Sequence, residues 1–290
     1  MIFNDVDLPN DRHTINAWAR SFYALDPDIH RIITQHALLL SKYYHLQKCE
    51  HQFANTFCEE MLESLDIIPF LEQIITEYFV IGEIFIYAQL DESQGKWNKL
   101  MIQNPDYIIV KRDIVSETVR DSHHFFLRPD ENMRRLVLSN REEDIKKCQE
   151  LSPSIVANIK AGENIPLENF YLSSMMHKLS PYEVRGNSFL LPLFPLLKNG
   201  TKTPHDTEII KETLFDLRIL TTAIHKDVVL QRCLHIMNGL ENWLNKKILQ
   251  PIAKIHNFQR QLPDKLSSEL CFPRVQFDKT KLRKELNKIK

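Results

Sequence analysis

The histidines and cysteines are the residues of this chain that could bind a metal ion. His123 and His124 are adjacent, and on a strand their side chains would point to opposite faces of the sheet. Cys49 and His51 lie two residues apart, but no second pair of ligands follows at the spacing that tetrahedral zinc sites use. The sequence also has no HExxH or CxxC motif. We therefore expect neither a structural nor a catalytic metal site.

Catalysis by side chains alone has equally little support. There is no GxGxxG or GxxxxGK[ST] loop to cradle a phosphate, and no GxSxG turn to present a nucleophilic serine. Paired carboxylates could act as general acid and base, and the candidates are Asp26, Asp28, Glu83 and Asp91. Asp26 is better explained as a helix cap and Asp91 as a turn residue. We expect a protein that is not an enzyme and has no cofactor. If it is an enzyme after all, a nucleic-acid-processing enzyme is the alternative.

The composition is typical of a globular protein rather than of a nucleic-acid coat protein. The chain has 290 residues, of which 43% are hydrophobic and 26% charged, and its net charge is −1. Dedicated nucleic-acid-binding domains are usually strongly basic, so contact with DNA would need a local patch. The five cysteines are odd in number and widely spaced, which favours reduced intracellular thiols. No apolar run reaches the ~20 residues of a membrane span, and the first residues lack the pattern of a signal peptide.

A helical periodicity runs from residue 14 to residue 46. Asp26 and Pro27 interrupt it, the first as the N-cap and the second as the first helical residue of a new helix. Two further helices are predicted over residues 50–64 and 68–79. Gly82 ends the last of them and begins a strand.

Strand patterns dominate residues 80–130. The strand over residues 83–90 has a hairpin partner over 97–102, and the turn Asn104-Pro105-Asp106 leads into further strands. We expect one small antiparallel sheet packed behind the helices.

A tight turn precedes the most apolar stretch of the chain. Arg185-Gly186-Asn187-Ser188 leads directly into FLLPLFPLL. We expect Gly186 to adopt a backbone angle that is costly for other residues. We expect Ser188 or Asn187 to cap a buried helix that follows.

The most regular helical pattern follows the start signal TPHDTE, includes Ile210 and Ile248, and is expected to stop at Pro251. An unbroken helix of about 43 residues would be roughly 65 Å long, as in a stalk or subunit interface. The alternative is two helices joined near Lys226 and Asp227.

The last fifteen residues hold six basic and two acidic side chains. This composition fits either an arm that binds nucleic acid or a partner, or an amphipathic terminal helix.

Four stretches, taken in order, resemble the portal proteins of large tailed bacteriophages. The first is WARSFYALDPDIHRIITQHA, where Trp18 and Arg20 belong to an aromatic–Arg–aromatic helix and Asp26-Pro27 is the acidic-Pro break. The second runs from Phe79 to Val110. Its motif residues are those of the Gly-x-x-Phe strand and the turn after it, namely Gly82, Phe85, Asn104, Pro105 and Asp106.

The third stretch is SPYEVRGNSFLLPLFPLLKNG, and its motif residues are Tyr182, Arg185, Gly186 and Ser188. The fourth is WLNKKILQPIAKIHNF followed by CFPRVQFDKTKLRKEL, with Trp243, Pro251 and Pro273. These match the late helix and the Pro-containing strand of such portals.

The resemblance implies a structural virion protein. Portal subunits form a ring, commonly of twelve, at one capsid vertex, and a separate terminase ATPase pumps double-stranded DNA through it. The implied partners are other copies of the chain, capsid and connector proteins, terminase, and DNA without sequence specificity, but no membrane. The implied location is the virion, after assembly in the host cytoplasm. A near-neutral chain suits such a channel, because dense lysine and arginine would hold the phosphates.

One departure from the family is the short middle region. Only residues 201–242 separate the third stretch from the fourth, where portals usually place much of their stem and clip. We expect an α+β, helix-rich fold with a small mixed or antiparallel sheet and a long helix in the C-terminal half. The expected division is a wing over residues 1–200, a stem over 201–258, and a strand with a basic tail over 259–290. The alternative function is a helical adaptor or assembly factor of the head, which binds a protein partner and forms no DNA channel.

Overall fold

The computed structural model describes residues 7–112, 123–149, 153–168, 170–180, 183–198, 202–217, 223–261 and 268–288. Its helices and small antiparallel sheets confirm the α+β, helix-rich class. One large hydrophobic core takes residues from each of the three predicted segments, and the division into wing, stem and tail stays a prediction.

Four helices build the N-terminal part of this core. They are α1 (Arg12–Leu25), α2 (Pro27–Ser41), α3 (Gln52–Ser64) and α4 (Ile67–Ile81). Asp26 separates the first two as expected: its carboxylate accepts from the backbone N–H groups of Asp28 and Ile29, and Pro27 is the first residue of α2. α4 is buried along most of its length and packs against α2.

The predicted single sheet is two sheets of three strands. Their strands are β2 (Glu83–Asp91), β3 (Lys96–Gln103), β4 (Ile108–Arg112), β5 (His123–Leu127), β6 (Ile165–Leu167) and β7 (Leu172–Met176). The first sheet has the order β3-β2-β7 and the second the order β4-β5-β6, all antiparallel. Each sheet is completed by a strand from much later in the chain, which local patterns around residues 80–130 do not reveal.

Three short helices lie between β5 and β6 and share a small core of their own. They are α5 (Glu131–Leu138), α6 (Glu142–Gln149) and α7 (Pro153–Ala161). Val137, Ile159 and Ile165 are the buried residues of that core.

An early strand and a late strand of the chain form a two-stranded sheet. β1 (Tyr44–Gln47) pairs with β10 (Arg274–Phe277), so the expected helix up to residue 46 ends at Ser41. The last helix, α12 (Lys279–Lys288), buries Leu282 and Leu286. The basic tail is therefore a packed amphipathic helix.

The long helix predicted between TPHDTE and Pro251 is broken near its start. α9 (Pro204–Thr213) ends at a turn where Phe215 has a φ of +58°. α10 (Ala223–Trp243) continues through a π-helix (Leu244–Leu249) into α11 (Gln250–Ile255). The junction thus lies before the expected position at Lys226 and Asp227. Most of the apolar side chains of α10 belong to the core, so this helix is not a free stalk.

Pro251 does not stop the helix. Proline has no N–H to donate to the residue four positions earlier, and the turn before it widens, with Gln250 donating to the carbonyl of Asn245. The helix then runs on to Ile255. The remaining strands, β8 (Gln259–Gln261) and β9 (Ser268–Leu270), form a separate pair.

The apolar stretch after the tight turn also contains less helix than predicted. It forms a 3₁₀ turn (Leu191–Leu193) and a single α-helical turn, α8 (Phe194–Leu197). Pro192 and Pro195 explain this, because neither can donate a backbone hydrogen bond.

Candidate functional site

A buried carboxylate lies where α4 ends and β2 begins. Gly82 ends α4 in the left-handed conformation, with φ +81°, and Glu83 follows as the first residue of β2. The Glu83 side chain is inside the protein, and the whole residue is only 1% exposed. A buried charge of this kind needs partners that are themselves fixed.

Arg185 is the main partner of this carboxylate. Its Nε lies 2.8 Å from Oε2 of Glu83, and its Nη2 lies 2.5 Å from Oε1. The same guanidinium donates to the carbonyls of Ile108 (2.7 Å) and Pro105 (2.9 Å). It also lies over the ring of Phe85, 5.4 Å from the centroid. One arginine thus joins the second and third stretches of the resemblance.

Arg12 supplies a second cation. Its Nη1 lies 3.3 Å from Oε1 of Glu83 and donates to the carbonyl of Gly186 at 2.7 Å. Burial lowers the pKa of Arg12, and the neighbouring Glu83 carboxylate partly offsets this. Nothing in the sequence distinguishes Arg12, because an arginine at the start of a helix is ordinarily a surface residue.

Gly82 and Gly186 bring two backbone segments into close contact. A Cβ on Gly186 would lie 2.0 Å from the carbonyl oxygen of Gly82, and one on Gly82 would lie 1.9 Å from that of Asn187. The positive φ expected at Gly186 is wrong, since only Gly82, Gly95 and Gly162 have positive φ among the described glycines. Gly186 is needed for space, and its N–H donates to Oε2 of Glu83 at 3.0 Å. We call Arg12, Gly82, Glu83, Arg185 and Gly186 the Glu83 hub.

Ser188 fastens the turn beside the hub. Its hydroxyl donates to the carbonyl of Val80 and accepts from the N–H of Leu190 at 3.0 Å. The helix cap expected from Ser188 or Asn187 is not formed, because the N-cap of the following 3₁₀ turn is Leu190, which has no side-chain capping bond.

The Asn-Pro-Asp turn connects the hub to α1. Asn104 accepts from the N–H of Asp106 at 3.2 Å, as expected of a turn residue. Asp106 accepts from Nδ2 of Asn16 at 2.7 Å and lies 3.1 Å from Nδ1 of His13. Arg20 of α1 lies 3.5 Å from Glu77 and 3.9 Å from Asp106.

Aromatic side chains of the motifs fill the core next to these polar contacts. Trp18 packs on Phe22 and on Phe194 of α8, with centroids 5.8 Å and 5.7 Å away. The first stretch thus contacts the apolar part of the third. Phe85 packs edge-on against Phe125 at 5.8 Å, in the second core.

The fourth stretch lies elsewhere, and none of its described residues hydrogen-bonds or ion-pairs with the Glu83 hub. Trp243 donates from Nε1 to the hydroxyl of Ser173 at 2.7 Å, which anchors α10 to β7. Pro251 follows the π-helix, and Pro273 is buried just before β10. Tyr182 lies outside the described residues.

The hub is suited to holding the fold and offers no free acceptor. Four donor atoms, on Arg185, Arg12 and Gly186, converge on the Glu83 carboxylate, which has about four acceptor positions. In the described part of the chain, no group of three or more potential ligands could hold a metal ion. Burial raises the pKa of both Cys58 and Cys233 to about 12, so neither thiol would be a nucleophile near neutral pH.

Among the described residues, no helix is both long and apolar enough to cross a membrane. Neither the protein-family models nor the curated proteins searched match this chain.

Proposed function

We propose that this chain is a structural virion protein of the portal type. It would be one subunit of a ring at the capsid vertex through which DNA is packaged and ejected. The proposal extends to the partners that the resemblance implies: other copies of the chain, capsid and connector proteins, terminase, and DNA bound without sequence specificity.

The observation that carries the proposal is the convergence of the motif residues. Trp18 and Arg20 of the first stretch precede the Asn-Pro-Asp turn by more than eighty residues, and Arg185 follows it by about eighty. Arg185 nevertheless binds Glu83 and the carbonyl of Pro105, Arg20 lies 3.9 Å from Asp106, and Trp18 packs on Phe194 in the core beside them. This explains why the three stretches occur together, since each supplies part of the same buried joint.

A buried joint also suits a structural part better than a catalyst. Its charged groups are satisfied by one another and by backbone carbonyls. Such a network fixes the angle between helices and sheets, which a closed ring requires of every subunit.

A second candidate function is a head adaptor or assembly factor that binds a protein partner and forms no channel. The break between α9 and α10 favours it, because a projecting stem would need one long helix. The packing of α10 into the core favours it as well.

Negative-stain imaging of the purified protein separates the two candidates. A portal-type subunit gives closed rings with a central hole. An adaptor gives small particles without a hole, and that result at high protein concentration would contradict the portal proposal. Denatured protein is excluded by recording the circular dichroism of the same sample.

A further inference from the structure

A half-buried arginine on α10 has no counter-ion among the described residues. The Arg232 guanidinium is stacked between two rings, with its Cζ 4.0 Å from the Phe215 centroid and 4.9 Å from the Phe189 centroid. It makes no ion pair or hydrogen bond to any described residue. Burial lowers the pKa of Arg232, as expected for a cation that has lost part of its hydration.

The backbone around Arg232 is arranged to hold this stack. Phe215 has a φ of +58°, a conformation that is disfavoured for a bulky residue. His177 stacks on the other ring partner, Phe189, with centroids 3.9 Å apart. The nearby Glu183 does not neutralise Arg232, because its carboxylate accepts from Asn187 and from the backbone of Leu179.

Exposed apolar side chains belong to the same segments. Val228, one turn before Arg232 on α10, is 45% exposed, and Leu179, two residues after His177, is 70% exposed. We call Leu179, Val228, Arg232 and His235 the arginine patch. Arginine and aromatic residues surrounded by apolar side chains are typical of hot spots in protein interfaces.

The same chain carries a surface of opposite character. A cleft of about 350 Å³ has an apolar floor, including Tyr44 and Leu62, and a rim of Glu59, Glu63 and Asp66. Glu63 and Asp66 make no ion pair to the described residues, whereas Glu59 has a loose contact of 3.8 Å with Lys48. We call the rim and floor the acidic cleft.

These two surfaces cannot meet within one subunit. The acidic cleft lies at the start of α4, which Ile67 and Ile68 begin. The arginine patch lies near the other end of α4, where Tyr78 and Phe79 pack on Phe189. Ten residues of helix separate Ile68 from Tyr78, a distance of about 15 Å.

We propose that the arginine patch of one subunit binds the acidic cleft of a second copy of this chain. This inference rests on the proposed ring function and names its interface. Contacts between two different surfaces of identical subunits are head-to-tail, and they close into a ring when the rotation allows it. A nucleic-acid phosphate is a poorer occupant, because the patch offers few cations and the chain has a net charge of −1.

The test uses charge reversal with rescue in the full chain. Arg232→Glu alone, and Glu63→Arg with Asp66→Arg, should each weaken self-association about 30-fold or more, as measured by light scattering over a concentration series. The variant that combines all three changes should assemble again. An equimolar mixture of the two defective proteins should also assemble, because each supplies the surface that the other lacks. Arg135→Glu, on the exposed side of α5, is the matched control and should assemble like the wild type.

Three results would overturn the inference. If the wild type assembles and Arg232→Glu assembles equally well, the ring function stands but this interface is wrong. If Arg232→Glu assembles normally and loses affinity for a double-stranded DNA fragment, the patch is a nucleic-acid contact. If the wild type stays monomeric, both the interface and the proposed ring function fail. Melting curves for all variants show whether a loss of assembly comes from unfolding.

Discussion

At the scale of single residues, the account depends on the burial of Glu83. A buried carboxylate between two arginines is a weak source of net stability but is costly to break. Glu83→Ala should therefore lower the free energy of unfolding by about 3–5 kcal/mol, because Arg12 and Arg185 lose their counter-ion. Urea denaturation measures this.

The control for that change is Glu131→Ala, which removes an exposed ion pair with Arg135. It should cost less than about 1 kcal/mol. Combining Glu83→Ala with Arg185→Ala should cost clearly less than the sum of the two single changes. Additive effects would mean that the two residues do not form the joint described above.

Gly186 gives a second residue-scale prediction. Gly186→Ala should destabilise the protein, and Gly186→Val should do so more strongly, because any Cβ there would lie 2.0 Å from a carbonyl oxygen that cannot move aside. Thermal melting of the purified variants is the measurement. Gly239→Ala is the control: a Cβ there meets only the tip of Met175, at 3.2 Å, and alanine is the better helix former by about 1 kcal/mol. Equal melting temperatures for Gly186→Ala and wild type would remove the close-contact explanation.

His36 predicts a pH dependence. Burial lowers the pKa of His36 in the folded protein below the ordinary value of 6.5. At pH values between the folded and the unfolded pKa, the unfolded chain binds more protons than the folded chain. Stability is therefore lost as pH falls below about 6.5, by at most about 1.4 kcal/mol per pH unit from this one group. Urea unfolding of wild type and His36→Gln at several pH values tests it. The variant should have the shallower slope, and parallel slopes would contradict the assignment.

At the scale of elements, α12 shows that the basic tail packs against the rest of the protein. Leu282 and Leu286 are buried, while Glu285 accepts from Tyr43 and from Lys42. Leu282→Ala should cost about 2–5 kcal/mol, whereas Arg283→Ala, on the exposed side, should stay within about 0.5 kcal/mol. A tail that served as a free arm would give the reverse, with little effect of Leu282→Ala on denaturation.

Elements set by neighbouring residues were predictable from the sequence. Asp26 and Pro27 start α2 because a cap and a first-turn proline act locally. Pairing between distant strands was not predictable. For example, β2 pairs with β7, and the strands of the second sheet lie between them in the chain. The break at Phe215 was missed for a related reason: Leu214 and Leu217 keep the helical spacing, while the Arg232 stack lies outside the local pattern.

The candidate site divides in the same way. The motif residues could be recognised individually, and Asn104 takes the local role expected of a turn residue. The hub could not be foreseen, because Arg12 and Glu83 acquire their roles only through contacts across the fold. Glu83 had one sequence signal, a charged residue opening an otherwise apolar strand.

At the scale of the whole molecule, the central claim is that the chain works as one of many identical subunits. The most direct measurement is the mass of the purified wild-type particle by light scattering over a wide range of concentration. The account predicts one dominant species, with a mass that is a large whole-number multiple of 34.2 kDa. A monomer or dimer at every concentration would contradict it, and the adaptor would then be the better account of this fold.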